Sequence, residues 1–236
     1  MGLPKIDQPL FELTIPSTEQ KVTFRPFTVK EEKVLLIARE AGDIDQIVLA
    51  VKQIIGNCCN GLDVESLAVF DLEYLMLQIR SKSVNNEVKF TIKDPDTEEE
   101  IELKLDIDDI EITRDPNHSK KVVLNDQYYM MMRYPTINEL ASLQVKEGES
   151  EEEVLFNTMI ACIETLVDDT TDEVYNFNEF SPDEIEEFVE QFTSGTIGEL
   201  QQFFASIPKM RYSVDYVNKD GKEKTFTMEG VETFFT

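Results

Sequence analysis

Five pairs along this chain, each a Ser or Thr followed three residues later by Glu, stand where an apolar run of helical spacing begins. The pairs are Thr28–Glu31, Thr136–Glu139, Ser150–Glu153, Ser181–Glu184 and Thr196–Glu199. At that spacing the hydroxyl accepts from a free backbone N–H of the first helical turn, and the carboxylate returns to the N–H of the cap residue. Acids in the first turn also oppose the positive end of the helix dipole, each contributing about 0.3–1 kcal/mol. The pattern fixes helix starts at defined places, and everything between them must fit around those helices.

The apolar spacing fills in the bodies of these helices and adds two more. After Thr28 comes Val34-Leu-Leu-Ile-Ala38, an apolar run too wide for one face, so mid-helix is expected to be enclosed on most sides. Asp43 precedes Ile44, Ile47, Val48, Val51, Ile54 and Ile55, a helical stripe expected to stop at Gly56-Asn57. Asp71 is read as the start of a third helix carrying Leu72, Leu75, Met76 and Ile79. Ser150 opens one expected to run through Leu155, Met159, Ile163 and Leu166. Ser181-Pro182 opens one with Ile185, Phe188, Val189 and Phe192, and Thr196 the last, with Leu200, Phe203, Phe204 and Ile207.

Period-two stretches lie between the helices. Phe11, Leu13 and Ile15 alternate with polar residues, and Lys21–Arg25 returns after Pro16–Gln20. Val88, Phe90 and Ile92 are expected to face Ile101, Leu103, Leu105 and Ile107 across Asp94-Pro-Asp-Thr97, where Pro95 presets the turn. Tyr212, Val214 and Tyr216 lead into Asn218-Lys-Asp-Gly221, and Phe226 and Met228 come back. The class is α+β, amphipathic helices combined with antiparallel β-hairpins. Two stretches of chain echo one another: Phe24-Arg-Pro-Phe-Thr-Val-Lys-Glu31 and Met132-Arg-Tyr-Pro-Thr-Ile-Asn-Glu139. They raise the expectation of a diverged internal duplication, strand–helices–hairpin twice, with domains at 1–112 and 113–236.

Little in the chain points to catalysis. The one His, His118, falls in the polar stretch Asp115-Pro-Asn-His-Ser-Lys120 and reads as a solvated turn residue. Cys58 and Cys59 are adjacent, and Cys162 sits beside an apolar stripe. This is a poor disulfide or metal pattern, better suited to reduced thiols. Asp168–Glu173 groups four carboxylates but lacks the glycine and distal Glu of an EF-hand loop. No catalytic, cofactor or metal residues are assigned, and an enzyme is disfavoured. A net charge of −26 repels nucleic acid and anionic membrane, and suits either solubility or a basic protein partner. No apolar run reaches the roughly 20 residues of a membrane span, and Met1–Asp7 does not read as a secretory signal, so a soluble intracellular protein is expected.

Apolar residues at Tyr128, Met130 and Met132 lie on a stretch apolar on both faces. It is either a central strand covered twice or a strand whose second face meets a partner. Phe234 and Phe235 near the end would also need a dock, on this fold or another. These five residues are the candidate partner contacts.

Three runs carry a family resemblance: Leu3-Pro-Lys-Ile-Asp-Gln-Pro9, Phe11-Glu-Leu-Thr-Ile-Pro-Ser-Thr18, and Phe24 through Ala38 with Arg25-Pro-Phe-Thr-Val-Lys-Glu-Glu-Lys33 inside it. The chain resembles the baseplate hub assembly proteins, also described as hub subunits, of T-even-type contractile-tailed phages. The likeness is densest over residues 3–57 and thinner from there to Gly230 and Phe234–Phe235. It implies a non-enzymatic protein without cofactor that helps build the central hub, in a chaperone-like way, by binding other hub or tail proteins. Its place would be the host cytoplasm during assembly, or the tail baseplate if it is a permanent subunit. A reading from another class is an acidic DNA mimic that inhibits a host nucleic-acid enzyme.

Overall fold

The computed structural model describes residues 4, 6–42, 44–141 and 150–229. In chain order the first elements are β1 (Phe11–Thr14), β2 (Lys21–Phe24), α1 (Val29–Ala41), α2 (Ile44–Cys58), α3 (Val69–Ser83), β3 (Glu87–Lys93), β4 (Glu100–Asp106) and β5 (Glu111–Thr113). Then follow β6 (Lys121–Val123), β7 (Tyr128–Met132), α4 (Ile137–Ala141), α5 (Glu151–Ala161), β8 (Ile163–Asp168), β9 (Glu173–Asn176), α6 (Pro182–Val189) and α7 (Ser194–Ala205). A last pair, β10 (Lys209–Val217) and β11 (Glu223–Glu229), completes the set. The fold is α+β, and among the described residues every strand pairing is antiparallel.

The chain forms two units, Met1–Thr113 with Lys209–Thr236, and Arg114–Pro208. Sequence had grouped the last hairpin with the second half. It belongs to the first because β10 pairs with β5, Met210 opposite Ile112, and because Met210, Tyr212 and Met228 close on Leu77, Leu105 and Ile107. Strand–helices–hairpin twice is therefore not the arrangement. What the two units share is shorter: a hairpin, a turn into a helix, a second helix, and a return to the hairpin. In the first unit this runs from β1 to Cys59, which bridges back to Phe24; in the second it runs from β6 to β8, which pairs with β7.

In the first unit α3 is buried on nearly all sides, with Leu75, Met76 and Ile79 fully enclosed, beside Val51, Ile54 and Ile55 of α2. It begins after Ala68, so Asp71 is a third-position residue rather than the cap. Its buried carboxylate accepts from the Ser17 N–H at 2.9 Å and from the Ser17 hydroxyl. The helix α2 passes through Gly56 and Asn57 to Cys58 rather than stopping there, and Asp43 lies outside the described residues. In α1 only Glu31 and Ala38 are buried, while Leu36 and Ile37 are exposed, contrary to the expected enclosure. Val34 and Leu35 are half-buried and Ala38 is buried, so the run is covered on one side only.

The β3–β4 register matches the sequence reading, Val88 opposite Leu105, Phe90 opposite Leu103 and Ile92 opposite Ile101. Asp94, fully buried, organises that turn by accepting from the Asp96 and Thr97 N–H groups. It also receives the Tyr216 hydroxyl at 2.8 Å and Lys224 Nζ at 3.2 Å from the β10–β11 hairpin.

In the second unit the strand order is β6-β7-β8-β9. Val122, Met130, Met132 and Ile163 meet Met159, Cys162, Phe177, Leu200 and Phe203 in one core. Sequence carried the helix after Ser150 through Ile163 and Leu166. It ends at Ala161 instead, and both residues belong to β8, where Leu166 pairs with Met130 and Ile163 with Met132. His118 is half-buried rather than solvated. Nδ1 lies 2.9 Å from Ser206 Oγ, Nε2 lies 3.0 Å from Tyr134 Oη, and the ring packs on Tyr134 and Phe203. Burial, and then Lys120, lower its pKa.

Candidate interaction surfaces

The predicted caps are seen first as chemistry internal to the fold. At Thr28, Glu31 Oε2 accepts the Thr28 N–H at 2.8 Å and its hydroxyl, while Oε1 takes Arg25 Nη2 at 2.9 Å. Enclosure alone would raise the Glu31 pKa; the bonds from Arg25 and Thr28 outweigh it and hold the carboxyl at about 2. The second unit repeats the arrangement. Glu139 accepts the Thr136 N–H at 2.8 Å and the Thr136 hydroxyl, and takes Arg133 Nη2 at 2.7 Å. Each arginine's own backbone N–H goes to a cysteine carbonyl at the far end of the second helix that follows it, α2 or α5. Arg25 donates to Cys58 at 3.0 Å and Arg133 to Cys162 at 2.9 Å. Four charged residues that might have marked an active site thus tie helix starts to hairpins.

Ser150–Glu153 and Ser181–Glu184 form the expected reciprocal caps. Thr196–Glu199 does not. Thr193 caps α7, accepting from the Thr196 N–H at 3.2 Å, so the helix starts nearly a turn earlier and Thr196 is buried inside it. Glu199 instead accepts the Val123 N–H at 3.2 Å, tying α7 to β6. The three cysteines are buried thiols whose pKa burial pushes up, Cys58 to about 11 and Cys59 and Cys162 to about 12, which suppresses the thiolate.

Among the described residues no group of three or more His, Cys, Asp or Glu is placed to hold a metal ion. In the Asp168–Glu173 turn the carboxylate of Asp168 is occupied by the Thr170 hydroxyl and N–H and by Gln127, which hold its pKa at about 2.

Of the candidate partner contacts, Met130 and Met132 are fully buried core residues, while Tyr129 and Met131 on the strand's other face are half-buried. A strand's side chains alternate, and those of Met130 and Met132 point into the helices. Phe234 and Phe235 lie outside the described residues. Tyr128, on the same face as the two methionines, is only half-buried. It lines a cavity of about 400 Å³ with Leu166, Tyr175, Phe177, Ile185 and Phe188, and with Phe180 and Glu184. A second cavity of about 430 Å³ is lined by the same Phe177 and Ile185 together with Arg133 and Asn176. Sequence placed Ile185 and Phe188 on the helix after Ser181-Pro182 and did not single them out as contacts. The missed signal was the density of Phe177, Phe180, Phe188 and Phe192 within so short a stretch.

The groove rings are held in place. Phe188 meets Phe177 edge-on at 5.8 Å and Phe192 at 5.3 Å. The Tyr175 hydroxyl donates to Glu173 at 2.7 Å, and that bond raises its pKa to about 12. The Tyr128 hydroxyl accepts from Gln127 at 3.2 Å. The stretch that carries most of the lining is acidic, while Arg133, which lines the neighbouring cavity, is paired with Glu139. Residues 147–208 contain 17 Asp or Glu and no Lys, Arg or His.

Among the described residues no helix is long and apolar enough to cross a membrane. A search of curated proteins and of solved structures finds no match. A family model does match, over residues 8–236, and its description is T4 bacteriophage base plate protein. With nearly the whole chain covered by that match, this protein belongs to the T4-type phage base plate protein family.

Proposed function

We propose that this base plate protein is non-enzymatic and assists assembly of the central hub by binding other hub proteins. The observation that carries the reading is an apolar groove whose lining, apart from Tyr128, comes from the base-free acidic stretch 147–208, in a chain of this family. A surface of one sign draws a basic partner, excludes like-charged competitors, and lets go as ionic strength rises. Such a protein can cover a sticky or cationic component until its neighbours arrive. The resemblance of residues 3–57 to hub assembly proteins supports the same role.

Co-expression with each hub protein of the same phage, followed by purification, is expected to recover a complex whose yield falls with added salt. A chain that stays alone beside every hub protein would refute the role. The family description equally accommodates a permanent subunit, and mass spectrometry of purified particles separates the two. Retention in the particle marks the subunit, and loss before completion marks the chaperone. The DNA-mimic reading is less well supported, because Glu31, Glu139, Glu153 and Glu184 are held at their own helix starts rather than along a phosphate-like track.

A further inference from the structure

We propose that the aromatic groove under α6 in the second unit is the docking site for a basic segment of a partner protein, a Phe, Tyr or Leu anchor flanked by Lys or Arg. The inference rests on the assembly role above and names the surface and chemistry through which it acts. A cavity of about 400 Å³ lies near the lower end of the range for specific small sites, so it suits one large side chain rather than a broad surface. Its rings are already fixed, by edge-on packing of Phe188 on Phe177 and by the Tyr175–Glu173 bond, so little ordering is needed on binding. Phe180, 39% exposed, stands at the mouth, where an anchoring side chain gains most by covering it.

Charge chooses the occupant. Glu184 is part of the lining, Asp183, Glu186 and Glu187 flank it on α6, and Glu173 opens β9, the strand that carries Tyr175. No base occurs in the sequence between residues 147 and 208, and Arg133, which lines the neighbouring cavity, is paired with Glu139. Aromatic faces beside carboxylates attract cations through the ring quadrupole as well as through charge. An acidic or uncharged segment would lose both contributions, and a second copy of so acidic a chain would meet like charge at the rim.

The test uses the full-length chain and overlapping synthetic peptides that tile the tail proteins of the same phage, read by fluorescence anisotropy. The bound peptides are expected to be basic with a large apolar residue, and Phe180→Ser is expected to weaken them about tenfold or more. Glu184→Gln, which retains an acceptor for Ser181, is expected to flatten the salt dependence. Val123→Ser, on the opposite face of the same sheet, should leave binding unchanged. Phe180→Leu, which keeps an apolar side chain, should retain most of it, separating lost contact from lost fold. Peptides that bind Phe180→Ser as well as wild type, a preference for acidic or neutral peptides, self-association through the groove, or no bound peptide at all would each overturn the proposal. If hub complexes persist in Phe180→Ser, the groove assignment falls and the assembly role stands. If only peptides from proteins outside the hub bind the groove, the groove stands and the hub role falls.

Discussion

Replacing Glu31 by Gln tests whether the joint between the first hairpin and α1 is held by charge. The carboxylate is 5% exposed and receives three hydrogen bonds, from the Thr28 N–H and hydroxyl and from Arg25. Its pKa falls from 4.5 to about 2, which corresponds to about 3 kcal/mol at roughly 1.4 kcal/mol per unit. The Arg25 side chain is 26% exposed, so solvent screening reduces this, and about 2 kcal/mol is expected. For a chain of this size that is a drop of roughly 5 °C in melting temperature at pH 7. A carboxyl depressed by folding contributes fully above its unfolded pKa and loses that contribution as pH falls toward the folded value. The gap between wild type and Glu31→Gln should therefore stay constant from pH 7 to about pH 5. Between 4.5 and 2 it should close, and it should be less than about half its neutral value by pH 3. The other acids titrate alike in both proteins and drop out of the difference. Thermal melts by circular dichroism at several pH values supply the readout. A gap that is the same at pH 3 and pH 7 would show that Glu31 acts by shape or local backbone bonding, not by its charge. Equal melting at pH 7 would remove the argument altogether.

Four more outcomes follow from the same geometry. Glu139→Gln should destabilise the second unit in the same pH direction, since Arg133 and Thr136 depress that carboxyl too; amide exchange in β7 and α5 would report it. Asp94→Asn should lower the melting temperature and raise exchange in both hairpins it links, and unchanged exchange in β10–β11 would contradict the link. Because burial disfavours the charged form of His118, stability should decline as pH falls below its ordinary 6.5, a step absent in His118→Gln. Met130→Ala should cost about 2–5 kcal/mol in urea unfolding, whereas Tyr128→Ala, at the half-buried end of the same strand, should cost far less stability.

The sequence was most informative where one local pattern had no competitor. The hairpin β3–β4 has one apolar face, and slipping the register by one residue would turn Phe90 and Leu103 to solvent, so the pairing could be read directly. The caps at Thr28, Thr136, Ser150 and Ser181 were equally legible, because the bonds they need lie within four residues. At Thr196 two threonines three residues apart offered the same hydroxyl, and Thr193 prevailed as the cap. The end of α5 was misread for a different reason. Met159, Ile163 and Leu166 fit a helical stripe, yet Ile163-Glu-Thr-Leu-Val-Asp168 also fits a strand. Pairing with β7, far away in sequence, decides it. The carbonyls of Cys58 and Cys162 that receive Arg25 and Arg133 were likewise invisible, being brought there by the return of a whole helix.

Tyr128, Met130 and Met132 show how a partly legible site becomes a specific one. Sequence offered a strand apolar on both faces and left its second face open to either core or partner. The structure divides the three along the strand rather than between its faces. All three project the same way, and Met130 and Met132 are sealed by Met159, Leu200 and Phe203, while Tyr128 lies where that cover gives way to the groove under α6. The core and the candidate docking site are thus one continuous apolar surface, with helices over one part and aromatic rings open to a partner at the other. That continuity explains why hydrophobic pattern alone could not separate them. A buried methionine and a groove tyrosine obey the same alternation, and only the extent of the helical cover, set by contacts distant in sequence, distinguishes them.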